Sequence, residues 1–273
     1  MNAGPSIQAT GETGHWTAIV LAASRGPDDP LARHAGVLHK ATIAVGGVPM
    51  LRRVVQALAD SGPIGAIHVV IDDADAARAA LGPGLAQRVR LLAPASSASA
   101  SVLKAVEAAS FQWPILVTTG DLPFLSPEAV RTFLSAAAAS PAALVVALAR
   151  RNDVLGTFPQ MQRTWMPLGG EPVTSCNLFA LKDESSLQAV RFWQRVERAR
   201  KRPWRMALSF GLPTLVRLLF LRAGARAVVA AAGRRLGTTA DAVFLDDPRL
   251  AIDVDKPSDL KLARQVAASH GQG

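Results

Sequence analysis

The sequence predicts an α/β fold, a Rossmann-like three-layer α/β/α sandwich with a mostly parallel sheet. Apolar strand-like runs alternate with helix-like stretches through the first half of the chain, the pattern of a parallel sheet wound with helices on both faces. A chain of 273 residues with 49% apolar content has ample material for the core that such a sheet requires. The chemistry-bearing residues follow directly on strand-like runs, where open α/β sheets place their ligands. Strands are expected near 17–22, 66–71, 89–92, 114–118 and 143–148, and helices near 49–60, 74–81, 100–110 and 126–139. Ser126 is placed to cap the last of these, with Pro127 at its first helical position. Pro159 and Pro167 break the segment over 156–170, and residues 174–181 read as a turn followed by a short buried strand. A charged helix over 184–202, a last strand at 242–245 or 251–254 and a closing helix over 257–268 complete the reading.

Charge and cysteine content narrow the function classes. The net charge is +9, yet twelve Arg/Lys stand against one acid, Glu197, between Val190 and Arg235, so the remainder of the chain is slightly acidic. Basicity is therefore regional, and general nucleic-acid binding is not expected. Four readings suit the window: a surface that rests on an anionic membrane, an acceptor-phosphate pocket, an oligomer interface, or plain core helices with solvated arginines. Arg205, Arg217, Arg222 and Arg226 interrupt its apolar runs, so no transmembrane span is expected there. The single cysteine, Cys176, permits no intrachain disulfide and reads as a small buried hydrophobe. Residues 1–13 are polar without an apolar segment and read as a disordered leader, which implies cytoplasmic residence. Residues 14–273 then form a single domain with a helical, basic insertion over 182–240.

The most informative local feature is the run Thr17-Ala18-Ile19-Val20-Leu21 opening into Ala22-Ala23-Ser24-Arg25-Gly26. Small side chains at 22, 23 and 24 let backbone N–H groups approach phosphate oxygens, and Arg25 and Lys40 are available to neutralise the phosphate charge. The spacing matches neither G-x-G-x-x-G nor G-x-x-x-x-G-K-[ST], so neither the dinucleotide fingerprint nor the kinase-type P-loop applies.

The runs L-A-A-S-R-G and H-K-A-T-I-A-V-G-G-V-P-M-L resemble the opening of the nucleotidyltransferases with a GT-A-like fold, the group of molybdenum-cofactor guanylyltransferases (MobA-like NTP transferases) and sugar-phosphate nucleotidyltransferases. Two further motifs follow in that family's order, Thr119-Gly120-Asp121-Leu122-Pro123-Phe124-Leu125 and Asp253-Val254-Asp255-Lys256-Pro257-Ser258-Asp259-Leu260. The resemblance implies an Mg2+-dependent transfer of a nucleoside monophosphate from an NTP, GTP or CTP, to a phosphorylated small-molecule or lipid-linked acceptor. It implies Asp121 as first metal ligand and Asp255 as second, with Asp253 in reserve and Asp259 as a cap or solvated residue. Lys40 and Arg25 are assigned to the triphosphate, Leu21, Ala22, Ala23 and Ser24 to the nucleotide-binding turn, and Ser101 to the base-binding loop over 93–102. Asn177, at the expected turn, is a candidate for the acceptor pocket or for a purely local backbone contact. The loop between Pro27 and His39 departs from the family pattern, and His34 and His39 read as solvated loop histidines.

Two other readings stand beside this one. A GT-A glycosyltransferase using a nucleotide sugar would exploit Asp253-Val254-Asp255 as a D-x-D pair, although the pair lies late in the chain. A non-catalytic nucleotide-binding regulatory protein would explain the altered loop, but not the joint presence of Lys40, Asp121 and Asp255.

Overall fold

A computed structural model describes residues 16–24, 29–108, 112–168, 170–199 and 224–270. Its sheet has the order β5–β4–β1–β6–β9–β7–β10, with β8 beside β9. These strands are β1 (Trp16–Leu21), β4 (Ile64–Val70), β5 (Val89–Leu92), β6 (Ile115–Thr119), β7 (Leu144–Arg150), β8 (Met166–Leu168), β9 (Glu171–Leu181) and β10 (Ala240–Phe244). The pairs β1–β4, β1–β6, β4–β5 and β7–β10 are parallel, while β9 runs antiparallel to β6, β7 and β8. From β1 the chain builds outward to β4 and β5, then returns to add β6 on the other side. The strand order reverses at β1 and β6, which opens a crevice at their carboxyl ends.

Alternation along β1 assigns its two faces. Ala18 and Val20 join a core shared with α2 (Met50–Ala59), α3 (Ala74–Ala86) and α5 (Pro127–Ala139). Ile19 joins the opposite core, with α4 (Ala98–Ala108) and α7 (Leu187–Ala199). The predicted cap of α5 is present, since the Ser126 hydroxyl accepts from Ala129 N with Pro127 in the first turn. α3 runs past the expected 74–81, but its backbone kinks at Gly82 (φ 72) just before Pro83, so regular helix ends where the sequence predicts.

Four elements differ from expectation. Residues 174–181 are not a turn and a short strand but the greater part of the 11-residue β9. Its irregular register against β7 and the left-handed Asn177 (φ 53) obscure the period-two pattern. A short helix, α6 (Arg151–Thr157), follows β7 directly. The charged helix begins only at Leu187, after a 3-10 turn over Glu184–Ser186. Residues 251–254 form no strand; β10 supplies the last strand, and a 3-10 turn at Pro248–Ala251 leads towards α9 (Pro257–His270). The basic window retains α7 and α8 (Ala225–Leu236) within the described residues, while 200–223 lie outside them.

A third core packs the segment between β1 and α2. Ile43, Val45 and Met50 pack with Leu31 of α1 (Pro30–His34), with Ile252 and Val254, and with Leu260, Ala263 and Val266 of α9. The hairpin of β2 (Ala44–Val45) and β3 (Val48–Pro49) turns through Gly46 and Gly47, both at positive φ, as a tight two-residue hairpin requires. This core brings the stretch after Lys40 against the stretch before Asp255, residues 215 positions apart.

Candidate active site

At the carboxyl end of β1 the chain turns through Ala22, Ala23 and Ser24. Ala22 N is bonded to Val70 O, and Gly120 N to Leu21 O, each at 2.9 Å. A Cβ on Gly120 would stand 3.0 Å from Ala22 Cβ and 3.3 Å from Leu51 Cδ1. Any larger residue at 120 would press on Ala22 and Leu51 and push the Thr119-Gly120-Asp121 turn away from the turn after β1 by a few tenths of an ångström. Thr119 Oγ1 donates to Asp121 Oδ1 at 2.7 Å, leaving Oδ2 to face the crevice.

Lys40 occupies the centre. Its Nζ donates to Asp121 Oδ2 and to Asp255 Oδ1, both at 2.7 Å. Burial alone would lower the Lys40 pKa, but the charges and hydrogen bonds of Asp121 and Asp255 outweigh it and hold the ammonium above its ordinary value. Val254 N donates to Asp121 O at 3.1 Å, a backbone tie between the two acidic segments. Asp259 Oδ2 accepts from Asp255 N at 3.2 Å and from Lys256 N at 3.1 Å, which makes it the cap, one of the two roles open to it.

Among the described residues no group of three or more His, Cys, Asp and Glu side chains is arranged to hold a metal. The donor set nevertheless suits one held partly by substrate. Two carboxylates converge on a single cation, and magnesium characteristically takes one or two carboxylates together with phosphate oxygens and water. The Lys40 ammonium marks where positive charge is stabilised.

The other predicted residues divide. Arg25 lies outside the described residues. Leu21 ends β1 and Ala22, Ala23 and Ser24 follow it, with Ser24 N and Oγ both donating to Asp72, at 2.8 and 2.7 Å. The Ser101 hydroxyl, buried, accepts from Ala95 N at 2.9 Å and braces its own loop. Asn177 Nδ2 donates to Asp253 Oδ2 at 2.9 Å. Asp253 also pairs with Arg163, so both its oxygens are engaged and only Asp255 of that run faces Lys40. Cys176 is buried, and burial pushes its thiol up to about 12, which makes it an inert core side chain.

Sequence reasoning missed Asp72 and Arg163 and misread His39. His34 is exposed, but His39 is buried. Its Nδ1 accepts from Ala41 N at 3.1 Å, so the ring carries its proton on Nε2, 3.0 Å from Asp72 Oδ1. Burial would raise the Asp72 pKa, but hydrogen bonds from His39 and Ser24 prevail and bring it down to about 2. The signal in the sequence was a pair of aspartates directly after a buried strand, Asp72-Asp73, of which Asp73 caps α3.

Residues 18–201 match the model of the MobA-like NTP transferase domain. The chain belongs to the MobA-like NTP transferase family. It is 35% identical over 133 residues to the bifunctional protein GlmU of Sphingopyxis alaskensis, a match covering 48% of this chain and 28% of that protein. A hypothetical transferase from Thermus thermophilus superimposes with a TM-score of 0.72 at 32% identity, covering 90% of this chain and 99% of that one. The 4-diphosphocytidyl-2C-methyl-D-erythritol synthase of Anaerococcus prevotii shares the fold, with a TM-score of 0.58 at 14% identity over 94% of this chain and 100% of that one. The fold is the one these nucleotidyltransferase structures share.

Proposed function

We propose that this NTP transferase moves a nucleoside monophosphate from an NTP to a phosphorylated acceptor and releases pyrophosphate. The observation that carries this reading is the Lys40 ammonium, held by Asp121 and Asp255 in the crevice where the strand order reverses. In such a transfer an acceptor oxygen forms a bond to the α-phosphorus, the bond from that phosphorus to the β-bridging oxygen breaks, and its electron pair leaves with pyrophosphate. A phosphate acceptor is already ionised at neutral pH, so the site needs no dedicated general base. Positioning and charge neutralisation are what remain for the protein to supply.

Lys40 has three ammonium protons, of which two are directed to Asp121 and Asp255, and the third is available to a phosphate oxygen. In the turn at Ala22–Ser24 the Ala22 and Ser24 N–H groups are bonded to Val70 and Asp72, so the Ala23 N–H is the backbone donor to assign to a phosphate. Asp121 and Asp255 are the residues that would hold Mg2+, which when bound supplies charge stabilisation to the phosphate oxygens. GTP and CTP are the nucleotides to try first. CTP is favoured for trial because one fold neighbour is named for cytidylyl chemistry.

The test is pyrophosphate release measured with each NTP against a panel of phosphorylated sugars, polyols and lipid precursors. Asp121→Ala should abolish Mg2+-dependent release while leaving the fold intact, because the side chain sits at a strand end. Lys40→Ala should weaken NTP binding by about 1.5–3 kcal/mol, one charge-assisted contact. Wild-type turnover in the Asp121 variant would remove the metal assignment, and unchanged NTP affinity in the Lys40 variant would remove the phosphate contact.

A further inference from the structure

Four aspartates crowd the site, and the structure treats them unequally. Asp259 is occupied by two backbone N–H groups, Asp121 and Asp255 share Lys40, and Asp253 has Arg163 and Asn177 to itself. Arg163 comes from the loop between α6 and β8, and its side chain is only 13% exposed against 15% for Asp253. A pair this desolvated is costly to break from one side, since the surviving charge is left without compensation. The guanidinium is also fixed in direction: Nη1 meets Asp253, Nη2 donates to Ser175 O at 3.1 Å, and Nε lies 3.4 Å from Thr174 Oγ1. A planar fork with three targets on two segments specifies orientation in a way that an ammonium cannot.

Asn177 completes the grip. Its backbone is left-handed at φ 53, a conformation that asparagine tolerates better than most residues, and from it Nδ2 reaches the second oxygen of Asp253. On a regular strand Asp253 and Asp255 would share a face. Here residues 252–255 have no strand structure; Asp253 is drawn to β9, Val254 is buried with its N–H on Asp121 O, and Asp255 turns to Lys40.

We propose that Arg163 is a positioning residue: with Asn177 it ties Asp253 to β9, withholds that carboxylate from the cation site, and so leaves Asp255 as the one carboxylate of the 253–255 run that joins Asp121 around Lys40. The inference rests on the reading of Asp121 and Asp255 as the cation-facing pair. Burial pulls the Arg163 pKa below its ordinary value, and Asp259, Asp255 and Asp121 are among the charges opposing it, which places the guanidinium within the electrostatic reach of the site.

Arg163→Met frees Asp253 next to the site, and the consequences differ from those of simple loosening. Binding of Mn2+ without nucleotide, followed by the electron paramagnetic resonance of the free ion, should tighten by about threefold or more because a third carboxylate becomes available. Over the same change kcat for pyrophosphate release should fall by about tenfold or more, since Asp255 loses its fixed aim, with a smaller change in KM for the NTP. In Arg163→Met/Asp253→Asn the extra Mn2+ affinity should disappear. Unaltered Mn2+ affinity and kcat in Arg163→Met would overturn the inference, as would tightening that persists when residue 253 is Asn. Arg163→Lys carries the test if the Met variant does not fold: the charge is kept but the fork is lost, so kcat should fall at unchanged Mn2+ affinity, and wild-type kcat would overturn the positioning role. A wild-type protein that binds no Mn2+ and releases no pyrophosphate would sink the nucleotidyl-transfer reading and this inference together; a competent wild type with an indifferent Arg163 sinks only the latter.

Discussion

Asp72 shows how much of the site is built from residues that lie outside every predicted motif yet tie those motifs together. Its carboxylate joins Ser24, at the end of β1, to His39, the cap of the 3-10 turn that begins with Lys40. Two parts of the proposed phosphate site are thereby held in register by one side chain. The Asp72 pKa falls from 3.8 to about 2 on folding, so the group contributes stability above the unfolded value and loses it as pH drops through the folded one. Asp72→Asn should therefore be less stable than wild type at neutral pH by roughly 1 kcal/mol, a figure already discounted for the part-exposed position. The gap should close as pH falls towards about 2, which urea midpoints at descending pH would show. Lys40, Asp121 and Asp255 were legible from the sequence because each sits in a motif with its own turn chemistry. Asp72 and Arg163 were not, because neither lies in one of those motifs and only the fold brings them to their partners, 48 and 90 positions away.

At the scale of elements, the sequence was most legible where local chemistry decided the outcome. Ser126 and Pro127 begin α5, and Gly82 and Pro83 limit α3, because caps and backbone restrictions act within a few residues. β9 was half missed because its pairing with β6 and β7 is long-range and its pattern is broken at Asn177. The tether between α7 and α4 was also invisible in advance. Glu197 Oε2 accepts from Ser99 Oγ at 2.6 Å and lies 3.4 Å from Ser99 N, at the first turn of α4. The one acid of the basic window thus docks its helix on the element that follows the 93–97 loop. A carboxylate at a helix N-terminus also meets the positive end of the helix dipole. Glu197→Ala should lower stability by about 1–2 kcal/mol through loss of this charge-assisted bond, read from the midpoint of urea unfolding. A midpoint unchanged from wild type would show that α7 is held by its apolar contacts alone.

Across the whole molecule, charge and fold are distributed differently. The sheet and its crevice are built by segments that are slightly acidic in sum, whereas the excess of cations is confined to the stretch from Val190 to Arg235. Within the described part of that stretch, α7 exposes Arg191, Arg195 and Trp193, the last at 57% of its surface. Arg195 also lies over the Phe192 ring at 5.7 Å. Arg191 and Arg195 lie one turn apart on the helix and Trp193 projects from a different side, an exposed mixture of cations and aromatic surface of the kind that interfacial helices carry. Among the described residues no helix is long and apolar enough to cross a membrane, so the association to test is a peripheral one. Each cation at an anionic surface contributes about 1 kcal/mol at best, and the attraction is screened over roughly 8–10 Å at moderate salt. The protein should therefore co-sediment with phosphatidylserine-containing vesicles at low salt and be released as salt is raised, with Trp193→Ala weakening the low-salt binding. Binding of this kind would direct the search for an acceptor towards phosphorylated lipids. If the protein stays in the supernatant at low salt, the membrane reading falls, and the basic window is better sought at an acceptor-phosphate pocket or at an interface with a second copy of the chain.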